Sequence, residues 1–171
     1  MPIIVVMGVS GSGKTTVARL LAERLACPML EGDSLHSAEN ILRMAAATAL
    51  ADSDRCDWLN AIAQCITVAS RAGQSLVVSC SALKRRYRDT LRQGHANLIF
   101  VHLVGDKQVI EGRLRLRHNH FMSPALLDSQ FEALEMPGAD EHVISCDIAL
   151  KPEAIVLSIL PRLAFSKESP R

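Results

Sequence analysis

IIVVM (residues 3–7) holds no polar residue, and GVSGSGKTT (8–16) follows it directly. A short apolar run of this kind suits a strand buried on both faces, the situation of strands in parallel sheets covered by helices. Amphipathic and apolar segments then alternate along the chain. A stretch of helical spacing over 14–26 leads to PMLEGD, and helical material around 38–47 comes next. SLVVSC, NLIFVHLV and VISCDI follow, each leading into helix-like sequence. Strands separated by helices imply right-handed crossovers. The pattern therefore predicts a doubly wound α/β domain, with one five-stranded parallel sheet and helices on both faces. Over 53–72, Trp58, Ile62, Cys65, Ile66 and Ala69 recur at helical spacing, and Gly73 supplies a C-terminal stop.

The glycine-rich stretch fits G-x-x-x-x-G-K-[ST] at every fixed position: Gly8, Val9, Ser10, Gly11, Ser12, Gly13, Lys14, Thr15. Its glycines permit backbone angles closed to other residues, so that successive N–H groups turn inward on phosphate oxygens. The helix that starts there adds unpaired N–H groups and a positive dipole end. Lys14 can reach the β- and γ-phosphates of ATP. The Thr15 hydroxyl is placed to ligate the Mg²⁺ that bridges them, and Thr16 to touch the α-phosphate.

Composition narrows the partners. A chain of 171 residues with a formal net charge of +1 is sized for a single domain over 1–171 and lacks the basic excess of a nucleic-acid binder. Five cysteines without paired spacing give no zinc or disulfide framework and suit a reducing compartment. With no basic leader and no span-length apolar stretch, the expectation is a soluble, cytoplasmic protein, away from membranes, with a frayed tail over 166–171.

Phosphate binding alone leaves the reaction open, and the next carboxylate along the sheet is Asp33, in LEGDSLH at the end of the second apolar run. Ligands of open parallel sheets collect beyond the carboxyl ends of the strands. There Asp33 can accept or orient an attacking hydroxyl's proton, or reach Mg²⁺ through water. The competing reading is an N-cap for the following helix.

Several segments together resemble one family, the gluconokinases. They are MGVSGSGKT at 7–15, EGDSLH at 31–36, NILRM at 40–44, LADSDRCDWL at 50–59, VSCSALKRRYRDTLR at 78–92, RLRLRHNHF at 113–121 and QFEALEMPGADE at 130–141. The resemblance implies a P-loop fold of the nucleoside-monophosphate-kinase kind and a helical lid over about 113–136. It also implies ATP and Mg²⁺ as cofactors, D-gluconate phosphorylated at its 6-hydroxyl, and a homodimer. Two positions depart from the family pattern. Ser37 stands where proline is usual, and Ala47-Thr48-Ala49-Leu50 replaces a Gly-x-Pro-Leu turn, so both turns are expected to be looser.

Arg113 and Arg117, four apart, share a helix face and resemble the lid arginines of nucleoside-monophosphate-kinase-like enzymes. That likeness puts Arg113 against adenine and makes Arg117 catalytic beside Lys14 and Asp33, while a solvated basic face is the plain alternative. His120 is as well suited to packing beside Phe121 and stays outside the catalytic set. An acidic polyol needs a cation and several hydrogen-bonding groups, for which His36, Arg43, Arg55, Ser81, Lys84 and Arg88 are candidates. Arg55, among Asp52, Asp54 and Asp57, is equally suited to a structural ion pair, and the helix carrying Lys84 and Arg88 is expected to face mostly solvent. Kinases of shikimate or of nucleoside monophosphates, and a non-catalytic nucleotide-dependent regulator, are the rival functions.

Overall fold

A computed structural model of the chain describes residues 1–46, 48–95, 97–115 and 124–165. Among them are five strands, β1 (Ile3–Met7), β2 (Met29–Glu31), β3 (Leu76–Ser79), β4 (Ile99–Val104) and β5 (Val143–Asp147). All pair in parallel in the order β2-β3-β1-β4-β5. Seven α-helices connect or flank them: α1 (Lys14–Leu25), α2 (Ala38–Ala45), α3 (Asp52–Arg71), α4 (Arg85–Arg92), α5 (Lys107–Arg115), α6 (Pro124–Ala133) and α7 (Pro152–Phe165). The five expected strands are all present, and the expected 53–72 helix is α3, followed by Gly73 at φ 63°.

The sheet divides the core into two layers by the two-residue period of its strands. Ile4 and Val6 of β1 join Val17 and Leu21 of α1 and Ile155 and Ile159 of α7 on one face. Ile3, Val5 and Met7 join Trp58, Ile62 and Ile66 of α3 and Leu91 of α4 on the other. β1 is thus enclosed on both faces and both edges, with Val5 opposite Val78 of β3 and Phe100 of β4. Burying each such aliphatic side chain contributes about 1.5–3 kcal/mol. Strand order reverses at β1, so the crevice beyond its carboxyl end is the switch point where doubly wound sheets bind ligands.

Arg88 corrects the sequence reading. Neither solvent nor the acceptor pocket receives it, because its side chain is fully buried beneath α4. Nε and Nη2 donate to the two carboxylate oxygens of Glu141 at 2.5 and 2.9 Å. Nη1 donates to the carbonyls of Ala82, Leu83 and Glu135 at 3.2, 3.1 and 3.1 Å. A buried guanidinium is tolerated only when its donors are met this way. It ties together the β3–α4 loop, the chain leaving α6 and the approach to β5. Its hydrogen bonds hold the Glu141 carboxyl below the usual carboxylate range. On the same sheet face, His102 of β4 is buried, and burial together with nearby Arg88 pushes its pKa down to about 4.

Arg88→Met strands the Glu141 carboxylate, and urea unfolding should show a loss of about 3–5 kcal/mol, largely recovered when Glu141 is also replaced by leucine. His102 gives a pH signature whose sign follows from its lowered pKa. The unfolded imidazole takes a proton near 6.5 while the folded one stays neutral until about 4, so stability falls as pH drops through that window. Thermal melts of His102→Gln should show a flatter acid limb between those values.

Candidate active site

At the end of β1 the backbone turns through Gly8 (φ 142°), Gly11 (φ 79°) and Gly13 (φ 97°) into α1. Gly11 is required twice over. Its φ lies in the left-handed region, and a Cβ would stand 2.9 Å from Leu114 and 3.0 Å from Ile110 on α5. Gly13 precedes α1 without a side-chain cap, and the first turn of α1 carries no acidic residue. The helix therefore presents unpaired N–H groups and an uncompensated positive end toward the loop. Lys14 Nζ folds over the loop and donates to the Val9 carbonyl at 3.0 Å.

Three clefts meet at this loop. The first, of about 320 Å³, is walled by Ser10, Gly11, Gly13, Lys14, Thr15 and Thr16, with Asp33 across from them. The second, of about 390 Å³, shares Ser10, Lys14 and Asp33 with the first and extends to His36, Arg55 and Ser81, with Ile41, Met44, Leu50 and Leu126 as apolar wall. The third, of about 350 Å³, lies between Gly11–Gly13, Thr16, Pro152 and Arg113. Arg113 thus stands on the side of the loop away from Asp33, its guanidinium bonded to the Ile148 carbonyl. Arg115, two residues on, is solvent-exposed, as the helical spacing required. Arg117, His118, His120 and Phe121 lie outside the described residues, as does Ala47.

Asp33 owes its position to a single 3₁₀ turn, Gly32–Leu35, that ends β2. Gly32 is pressed against β3, where a Cβ would fall 2.3 Å from the Ser79 carbonyl oxygen, and Trp58 Nε1 donates to the Gly32 carbonyl at 2.7 Å. The same indole stacks on His36, with ring centroids 4.2 Å apart and planes 14° from parallel. Burial lowers the His36 pKa, opposed by Asp33 and assisted by Arg55, so the imidazole is neutral at neutral pH. Its Nδ1 has no hydrogen-bond partner among the described residues.

The helix cap considered for Asp33 belongs to Ser37, whose Oγ accepts from Asn40 N at 3.2 Å to start α2. Serine at 37 therefore does not loosen this turn as expected. Its φ of −61° would admit proline, but the hydroxyl supplies a cap that proline lacks.

The candidate cations separate by their partners. Arg43 pairs with Asp54 at 3.0 Å and Lys84 with Asp52 at 3.0 Å. With Arg88 committed to Glu141, none of the three lines the Asp33–Arg55 cleft, and the structure does not bring them to it. Asp52 also gathers Arg86 and the Tyr87 hydroxyl. Arg55, three residues further along α3, lines that cleft, stands 6.0 Å from the Tyr87 ring centroid and has no ion-pair partner among the described residues. Among the described residues Arg55 makes no ion pair with Asp52, Asp54 or Asp57, the partners its sequence neighbourhood offered. Sequence reasoning assigned no role to Gln130 of α6, whose Oε1 accepts from Ser10 N at 2.7 Å and which lines the same cleft. Only its place inside the 130–141 segment pointed to it.

Comparison with known proteins agrees with this geometry. A family model described as AAA domain matches residues 3–136. The thermoresistant gluconokinase of Escherichia coli strain K12 is 45% identical, the alignment covering 92% of this chain and 91% of that protein. The gluconokinase of Gluconobacter oxydans strain 621H is 41% identical, covering 92% and 88%. A solved structure of a gluconokinase from Sinorhizobium meliloti 1021 superposes with a TM-score of 0.87 at 45% identity, covering 96% of this chain and 92% of that one. Sheet order, loop and paired clefts define an ATP-dependent P-loop kinase. Within that class, the chain belongs to the gluconokinase family.

Trp58→Phe keeps an aromatic ring beside His36 but leaves the Gly32 carbonyl without its donor. Urea denaturation should show a loss of about 1–3 kcal/mol, the cost of an unmet buried polar group.

Proposed function

We propose that the chain transfers the γ-phosphoryl group of ATP to the 6-hydroxyl of D-gluconate, giving 6-phospho-D-gluconate and ADP. One observation carries the reading: the phosphate cleft and its neighbour share Ser10, Lys14 and Asp33, so a phosphoryl donor and a polyol acceptor in adjoining clefts meet at a carboxylate and an ammonium. The acceptor cleft has the chemistry of an acidic polyol. Arg55 matches a carboxylate, and neutral His36 and Ser81 offer hydrogen-bonding groups to hydroxyls. Relatives named gluconokinase support the same acceptor.

In this reading the 6-oxygen attacks the γ-phosphorus in line while its proton passes to the Asp33 carboxylate. The bond from phosphorus to the β–γ bridging oxygen breaks, and ADP leaves with that electron pair. Backbone N–H groups of the loop hold the phosphates, Lys14 draws off charge developing on the transferred group, and Arg113 flanks the adenine side. Arg117 is assigned the equatorial oxygens, where an arginine contributes rate factors of about 10³ to 10⁵. Mg²⁺ suits the donors present, since it keeps several waters and takes few protein ligands. The Thr15 hydroxyl would bind it directly and Asp33 through water, and when bound it offsets phosphate charge. A homodimer, as the resemblance implies, in the cytoplasm, as the unpaired cysteines suggest, completes the proposal.

Coupled ADP-release assays over sugar acids, shikimate and nucleoside monophosphates test the acceptor, and turnover of shikimate without gluconate would overturn it. Asp33→Asn and Arg117→Ala should each lower kcat by about 10²-fold or more while the KM for ATP stays within about threefold. Arg55→Met should raise the gluconate KM at least about tenfold, as expected for a lost charge-assisted pair, and leave ATP untouched.

A further inference from the structure

Gln130 sits 120 positions from Ser10 in sequence, yet the two meet at the junction of the phosphate and acceptor clefts. A backbone N–H only donates, so the contact with Ser10 N identifies the bonded end of the Gln130 amide as its oxygen. The other end, Nε2, carries two donor hydrogens in the same plane, and among the described residues nothing accepts from it. Gln130 lines the acceptor cleft and is absent from the wall of the phosphate cleft. Around it, Lys14 and Arg55 are cations and Asp33 is an anion, each suited to a charged or reacting group. Gln130 is a neutral donor whose position is set by the phosphate loop itself.

We propose that Gln130 is a specificity-determining residue that donates from Nε2 to the hydroxyl next to the attacking one, the 5-hydroxyl of gluconate. The assignment to this end of the acceptor follows from its partner. Ser10 borders the phosphates, so a side chain fixed on Ser10 reads the reacting end of the polyol, while Arg55 takes the carboxylate. Because the donor is anchored to the loop that holds the γ-phosphate, the acceptor is registered against the phosphoryl group directly. This inference rests on the gluconate reading.

The test compares kcat/KM for D-gluconate and for its 5-deoxy analogue, in the wild type and two variants. Gln130→Met removes both ends of the amide. Gln130→Glu, assayed near pH 8, keeps an oxygen for Ser10 N–H but has no donor. Wild-type protein should favour gluconate by about tenfold or more, and both variants should bring the ratio to within about threefold. A purely structural role would lower both substrates equally and keep the ratio, and that result overturns the inference. An unchanged ratio in Gln130→Glu alone also overturns it, since the donor would then be irrelevant. Wild-type protein that leaves gluconate unphosphorylated overturns the acceptor reading, and this inference with it. Gluconate turnover with ratios insensitive to residue 130 overturns the inference alone.

Discussion

β1 is hydrogen-bonded along both edges and covered on both faces, and the site depends on that enclosure. Each side chain of a strand so enclosed packs into one of two filled apolar layers, so the point where Met7 ends is held by close packing on both faces and pairing on both edges. The phosphate loop inherits this stiffness. Its glycines accept angles other residues refuse, and a side chain at Gly11 would press on Leu114 and Ile110 of α5. Donor geometry is therefore a property of the core, delivered to the surface through one turn.

The acceptor half is assembled differently, from pieces remote in sequence. Trp58 links α3 to the Gly32 turn and to the His36 ring, and Arg88 pins the loop carrying Ser81 to the chain leaving α6. Neither side chain needs to touch substrate to govern where substrate contacts stand. Charge is sorted by the same logic. Carboxylates at 52, 54 and 141 absorb Lys84, Arg86, Arg43 and Arg88, and Arg55 remains directed to the cleft. Which cation faces the cleft thus depends on ion pairs formed elsewhere.

Local pattern was readable wherever local physics decides. β1, β3 and β4 were plain because burial on both faces leaves little choice of residue, and the loop was plain because each fixed position has its own steric or electrostatic reason. Asp33 was located by the rule that ligands gather beyond strand ends. What escaped were choices made by distant partners. Nothing near Arg88 says that Glu141, 53 residues away, will take its guanidinium into the interior, and nothing near Gln130 marks an amide that meets Ser10. Arg43, Lys84 and Arg55 look alike in sequence, and only the placement of Asp54 and Asp52 tells them apart. Ser37 shows the converse, a change of residue whose cost to turn rigidity is offset by a cap formed within four residues.

β2 is only three residues long and forms an outer edge of the sheet, cut off by the 3₁₀ turn that presents Asp33. An exposed edge strand offers unpaired backbone groups on which another chain can grow, and brevity is one of the surest ways to deny that template. The turn that presents Asp33 also shortens one of the two borders of the sheet. Placement of a carboxylate at the cleft and protection of a sheet edge fall to the same four residues.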